Sequence, residues 1–412
     1  MDLKSNKLGL LTTKIGSGIT PRGGQSVYQD SGTHLIRSQN IYNHKFKKNG
    51  LVCISQEIAE KMKSVEIIKE DVLINITGDS VARVYLVPDE VLPARVNQHV
   101  CILRTTPELN PHYLYYFLIN PITQKHLLSI AGIGGTRNAL TKEILYNLII
   151  EYPDYPTQQK IVKQLNAIKN KIIVLQNQNR TLEQMAQNIF KSWFVDFDGV
   201  TEFENSELGQ IPKGWSVEKL SNCISVDKGL SYKGKFLSTS GIPLINLGNI
   251  EKNGGFIERK IKHYTGEFKT KHTISSRDIV IANTDITQDR LVLGSPALIS
   301  PLDYKEIIFT HHIFAVRTNS NFKKYFLYYL LKTQNYHQHV ISYATGTTVL
   351  AIPKEAVLDF QFTLPNDNLV NKFDNIASNM KELFFRNNSS IQSLTKTRDA
   401  LLPKLMSGEI RV

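Results

Sequence analysis

The chain of 412 residues has only three cysteines, Cys53, Cys101 and Cys223, scattered singly with neither a CxxC pair nor metal-ligand spacing. That excludes a disulfide framework and a cysteine zinc site, and it points to a reducing compartment. Long hydrophobic runs are missing as well. The longest, at 113–119 and 325–331, are about seven residues, too short to cross a bilayer. The opening MDLKSNKLGLL has no signal-peptide apolar region. A soluble, cytoplasmic protein with no membrane partner is expected.

Catalytic motifs are equally scarce. There is no GxxxxGK[ST], HExxH or GxSxG, no Asn-Pro-Pro-aromatic box of an amino-methyltransferase and no carboxylate–carboxylate–lysine spacing of many nucleases. The Gly-rich GIGGTRN follows a helical pattern rather than a strand, so it reads as a turn. His311 and His312 fall in a strand-like run, where alternation sends them to opposite faces and away from a shared metal. No catalytic residue, metal site or cofactor of the chain's own is expected. What the chain does have is positive charge: 49 Lys and Arg against 37 Asp and Glu, a net +12, which points to a polyanionic partner such as nucleic acid.

It also repeats itself. GIGGTRNALTKEILYNLIIEYP at 132–153 aligns without a gap on ATGTTVLAIPKEAVLDFQFTLP at 344–365, an offset of 212. Gly134, Thr136, Ala139, Lys142, Glu143 and Pro153 recur as Gly346, Thr348, Ala351, Lys354, Glu355 and Pro365. Upstream, with small gaps, IRSQNIY matches INLGNIE, DVLINITGD matches DIVIANTDI, and VNQHVCILRT matches FTHHIFAVRT. So long a period is domain duplication rather than a solenoid. Each block mixes short β-branched runs with one helix, around 111–130 and around 321–340, an α+β pattern. The expected boundaries are 1–155 and 201–365 for the globular domains, and 156–200 and 366–412 for the segments that follow them.

Those two segments carry a seven-residue apolar repeat. In the first it runs through Ile161, Leu165, Ile168, Ile172, Leu175, Asn179, Leu182, Ala186, Ile189 and Trp193. In the second it runs through Phe373, Ala377, Met380, Phe384, Asn387, Ile391, Leu394, Arg398, Leu401 and Leu405. So narrow a seam is that of a coiled coil. Parallel pairing in register would leave Asn179 and Asn387 facing apolar residues, which is costly. Antiparallel pairing sets them opposite each other, with Trp193 beside Phe373 and Ala186 beside Met380. Arg398, opposite Ile168, is expected to snorkel to water, and Pro403 to stop or kink the second helix. The fold expected is α+β: two homologous mixed α/β domains separated by an antiparallel two-helix coiled coil, with a pseudo-two-fold axis.

Candidates for reading DNA lie in Gly- or Asn-rich surroundings. In the first block they are Arg22, Arg37, Gln39, Asn40, Lys45, Lys47, Lys48, Arg83, Arg95, Arg137 and Asn138. In the second they are Lys228, Lys233, Lys235, Asn246, Asn249, Arg259, Lys260, Arg290, Thr347 and Thr348. Arg, Asn and Gln can contact base edges bidentately, whereas Lys more often neutralises phosphate.

IFKSWFVDFDGV at 189–200, ELGQIPKGW at 207–215, TRDALLPKLMSGEIRV at 397–412 and the Gly-Thr loops followed by a Lys-Glu pair are phrases of one family. On these the chain resembles the specificity subunit (HsdS) of type I restriction-modification systems, over essentially its whole length. The resemblance implies that each globular block is a target-recognition domain reading half of a split double-stranded DNA sequence. It also implies that the helical segments hold methyltransferase subunits, two of them, and that restriction subunits can join. S-adenosylmethionine, ATP and Mg would enter through those partners, and the chain itself would be non-catalytic. One departure from the family pattern is that the first block begins at KSNKLGLLTTKIGSG without an IPKGW leader, which bears on its entry strand. Separately, the two blocks diverge outside the shared motifs, as GITPRGGQSVYQDSG against LSYKGKFLSTSG shows, so an asymmetric target is expected. The competing readings are a stand-alone restriction-modification enzyme and a coiled-coil protein that binds DNA without sequence preference.

Overall fold

Val72–Asn75 and Ile279–Ala282 are buried at every position, as short apolar runs without alternation demand. Each forms the middle of an antiparallel four-stranded sheet. In the first the strand order is Thr12–Ser17, Val100–Thr105, Val72–Asn75, Val84–Leu86; in the second it is Ile224–Lys228, Ile313–Thr318, Ile279–Ala282, Pro296–Leu298. A computed structural model describes residues 2–132, 138–287, 289–319 and 322–412. It divides into two units, Met1–Val174 with Ile391–Val412, and Leu175–Ser390, so each globular block takes with it part of both long helices.

Each unit has a second sheet built on one parallel pair. In the first unit Ala94–Val96 runs parallel to Thr33–Ile36; in the second Ile307–Phe309 runs parallel to Ile242–Ile245. Val52–Ile54 and Lys262–Tyr264 flank these strands antiparallel at equivalent places. The duplication seen in the sequence is therefore a duplication of strand pairing.

The helix expected around 111–130 is two helices, Pro111–Ile119 and Pro121–Ala131. Pro121 has no N–H to continue the first, and the Asn120 side chain caps the second by accepting from Ile122 N at 3.2 Å. The one expected around 321–340 is likewise two, Lys324–Leu330 and Gln334–Ser342, the latter capped by Thr333. His311 and His312 lie in a turn between strands, not in a strand, so alternation does not apply to them. Their rings sit 3.9 Å apart rather than on opposite faces.

The two long helices are Tyr155–Phe194 and Asp367–Ser407. In the second unit they run antiparallel: Asn387 Nδ2 donates to Asn179 Oδ1 at 2.9 Å, and Trp193 lies against Phe373 with ring centres 6.5 Å apart. Ala186 and Met380 share the same core. In the first unit Ile161 and Leu165 share a core with Leu402 and Leu405. Ile172 and Leu175 are buried as well. Ala377 is buried too, and the other seam residues, Ile168, Leu182, Ile189, Phe384, Ile391, Leu394 and Leu401, are half-buried.

The buried face is wider than a coiled-coil seam, because each helix also packs on a globular block. Phe190 and Phe194 meet Phe326 at 5.4 and 5.1 Å, and Val370 and Phe385 belong to the same core. The second helix does not stop at its proline, and its Arg398 does not reach out to water. The helix runs through Pro403 to Ser407, because Leu402, Leu405 and Met406 are buried around the proline, and their packing outweighs one lost helical hydrogen bond. Arg398 does not snorkel; its side chain is 11% exposed, and its guanidinium pairs with the neighbouring Asp399 at 2.7 Å.

Candidate nucleic-acid interface

Parallel strands end on the same side, and in each unit the loops leaving the parallel pair meet there. Asn97 N donates to Ile36 O at 3.1 Å, and Thr310 N to Ile245 O at 2.9 Å. Two small frames are built at these ends, each present in both units.

The first frame is a 3-10 turn, Ser38–Asn40 or Leu247–Asn249. Its last residue is a wholly buried asparagine. Asn40 Oδ1 accepts from Arg37 N at 2.9 Å, and Asn40 Nδ2 donates to Lys47 O at 2.8 Å. Asn249 Oδ1 accepts from Asn246 N at 2.9 Å, and its Nδ2 donates to Ile257 O at 2.7 Å. The backbone is thereby copied, while the residue leading into the turn differs, Arg37 against Asn246.

The second frame joins the Gly-Thr loop to a histidine. Ile76 N donates to His99 O at 2.9 Å, and Asn283 N to His312 O at 3.1 Å. The carbonyls of Ile76 and Asn283 accept from Leu140 N at 2.9 Å and Ile352 N at 3.0 Å. The next residue pairs with the loop, Thr77 with Ala139 and Thr284 with Ala351. Its hydroxyl meets the imidazole, Thr77 Oγ1 with His99 Nδ1 at 2.6 Å and Thr284 Oγ1 with His312 Nδ1 at 3.1 Å. Burial, then the neighbouring His311 and Lys228, pushes the His312 pKa down and favours its neutral ring.

The two frames touch in the first unit, where Asn75 Nδ2 donates to Ser38 O at 2.9 Å. Arg37 Nε and Asn75 Oδ1 are buried there without a hydrogen-bond partner among the described residues, and so is Thr310 Oγ1 in the second unit. A buried polar group without a partner costs about 1–3 kcal/mol, and two more among the described residues, Tyr336 Oη and His339 Nε2, lie away from these frames.

The sequence candidates fall into three groups. Asn40, Asn249 and Arg95 are buried and bonded inside the protein; they build the turns or the core and present nothing to a ligand, which corrects the expectation that they read bases. Arg37, Arg83 and Asn246 are half-buried. Arg37 donates to Gly50 O at 2.5 Å and stacks 5.1 Å from the Tyr28 ring centre. Arg83 lies 4.6 Å over Tyr42. The Asn246 amide donates to Lys260 O at 3.0 Å and accepts from Gly248 N at 2.9 Å. Exposed are Arg22, Gln39, Lys45, Lys47, Lys48, Asn138, Lys228, Lys233, Lys235, Arg259, Lys260, Arg290, Thr347 and Thr348. Of these, Asn138, Thr347 and Thr348 adjoin the threonine–histidine frames, since Gly78 N donates to Asn138 O at 3.1 Å and Leu350–Ala351 pairs with Thr284–Asp285. Arg137 lies outside the described residues. Sequence reasoning missed Thr77, Thr284 and His99; the signal was the alignment of VNQHV with FTHHI, which keeps one histidine in register.

The chain is similar to known specificity subunits. The family model for the type I restriction modification DNA specificity domain matches residues 19–184. The MjaIX specificity subunit of a type I restriction enzyme from Methanocaldococcus jannaschii is 28% identical over 312 residues, 73% of this chain and 69% of that protein. The HindI specificity subunit from Haemophilus influenzae is 22% identical, covering 91% of this chain and 94% of its own. The crystal structure of the S subunit of a type I restriction-modification system from M. genitalium superposes with a TM-score of 0.60 at 15% identity, over 98% of this chain and 96% of that one.

Proposed function

We propose that this chain, which is similar to type I restriction-modification specificity subunits, is the non-catalytic reader of a split, asymmetric DNA target and the scaffold on which the other subunits assemble. The observation that carries this reading is the pair of copied frames. Each unit keeps the same turn and the same threonine–histidine anchor, while the side chains around them differ: Arg37 against Asn246, and Gln98 against His311. Equal frames with unequal side chains suit two readers of two different half-sites. Exposed Lys47, Lys233 and Lys235 would neutralise phosphate, and exposed Arg22, Arg259 and Arg290 would be the candidates for base edges.

In this reading the long helices hold two methyltransferase subunits, and restriction subunits can join them. S-adenosylmethionine, ATP and Mg belong to those partners. The test is reconstitution. Alone, the chain should neither methylate nor cleave DNA; with its methyltransferase partner and S-adenosylmethionine it should direct methylation to one bipartite sequence. Robust methyl transfer by the isolated chain would overturn the proposal.

A further inference from the structure

Away from these frames, the second unit holds a cleft of about 390 Å³ with an unbalanced buried charge. Glu183 on the first long helix accepts from Lys332 Nζ and Lys381 Nζ, both at 2.6 Å, and from Gln187 Nε2 at 2.9 Å. The lysine side chains are only 7% and 6% exposed. Two ammonium groups therefore share one carboxylate, and one positive charge is left over where water is largely excluded.

Such a charge is costly unless paired. The face of Tyr328, 4.5 Å from Lys381 Nζ and 5.3 Å from Lys332 Nζ, offsets part of the cost without neutralising it. Burial pushes the Lys381 pKa down despite its ion pair. Burial also raises that of Glu183, but the two lysines outweigh it and hold the carboxyl at about 2. Each ammonium has three N–H donors. One from each goes to Glu183, so donors remain for a second acceptor.

The rest of the cleft suits an organic anion. Phe256, Phe384 and Phe385 supply aromatic walls, and Asn388 an amide. Arg180 and Glu251, both exposed, stand at its mouth; being of opposite sign, they leave the excess positive. We propose that the cleft binds a small planar organic anion, with its acid group between Lys332 and Lys381 and its flat body against the phenylalanines. Its volume and mixture of aromatic walls with a few convergent polar groups are those of a small-molecule site. The proposal is independent of how the chain reads DNA.

The test is isothermal titration of the full chain with phenyl phosphate, inorganic phosphate and phenol as separate arms. Phenyl phosphate should bind saturably at one site per chain, about tenfold more tightly than inorganic phosphate because of ring contacts, and phenol should not bind. Arg180→Glu, an exposed change that leaves the core intact, should weaken phenyl phosphate by about tenfold or more, and Lys332→Met should abolish its binding. Should Lys332→Met fail to fold, Arg180→Glu and the phenol arm decide. Absence of saturable phenyl phosphate binding, unchanged affinity in Arg180→Glu, or equal binding of phenol would overturn the proposal; equal affinity for inorganic phosphate would overturn the planar body.

Discussion

Asn387 donates its amide to Asn179 at 2.9 Å inside the helix pair, with each residue only 6% exposed. Asn179 in turn donates to Asn388 Oδ1 at 2.8 Å. A buried amide in an apolar seam is tolerable when it is paired, and it fixes register because a slip would strand it. Replacing either Asn179 or Asn387 by Leu should cost about 1–3 kcal/mol in denaturant unfolding, since the survivor is left short of a partner. The double replacement should cost less than the sum of the two. A strictly additive double-mutant cycle would show that the amides do not act as a pair.

Glu183→Gln should destabilise the second unit at neutral pH by about 3 kcal/mol, because it removes the partner of two buried lysines. The pH dependence has a definite sign. The folded Glu183 carboxyl is held at about 2 against an ordinary value of 4.5, so its stabilisation is complete above 4.5 and is lost as pH falls from there towards 2. Thermal unfolding followed across that window should show wild type and Glu183→Gln converging. A constant difference down to pH 2 would assign the stability to other groups.

Asn40→Ala should orphan Arg37 N and the Lys47 carbonyl, at about 1–3 kcal/mol, and let the turn at Ser38–Asn40 drift. In the reconstituted methyltransferase, selectivity should relax in one half of the target while the other half stays strict. Asn249→Ala should relax the other half instead. Sequencing of methylated sites would reveal the pattern, and relaxation of both halves by one substitution would mean that the units do not read independently.

Exposed Lys47 and exposed Arg22 should behave differently if one neutralises phosphate and the other reads a base. Lys47→Ala should weaken binding on all sequences alike and lower the slope of log affinity against log salt by about one unit. Arg22→Ala should cost about 1–3 kcal/mol on the cognate sequence alone. Fluorescence anisotropy over a salt series with cognate and scrambled duplexes separates the two behaviours.

Some of the misjudged elements were legible after all. Asn110-Pro111 and Asn120-Pro121 are successive cap-and-proline signals that break the expected single helix, and their local chemistry is complete in the sequence. Asn40 and Asn249 are a different case. Their residue type and turn-rich surroundings suit a base reader, yet each amide is spent on backbone groups up to eight residues away. Nothing in the local pattern distinguishes an amide facing solvent from one folded inward.

The sequence by itself determined the duplication, the heptad seam and the match of Asn179 to Asn387, because an apolar period and a rare polar residue within it are properties of one chain read in order. Only the tertiary structure decided that His99 and His312 would meet Thr77 and Thr284. It alone placed the turn of Ser38 against Asn75 and put Lys332 and Lys381 on the same carboxylate. Those relationships join residues 22 to 198 positions apart. They depend on where whole strands and helices pack, and a directional hydrogen bond or ion pair forms only when that packing brings donor and acceptor within about 3 Å.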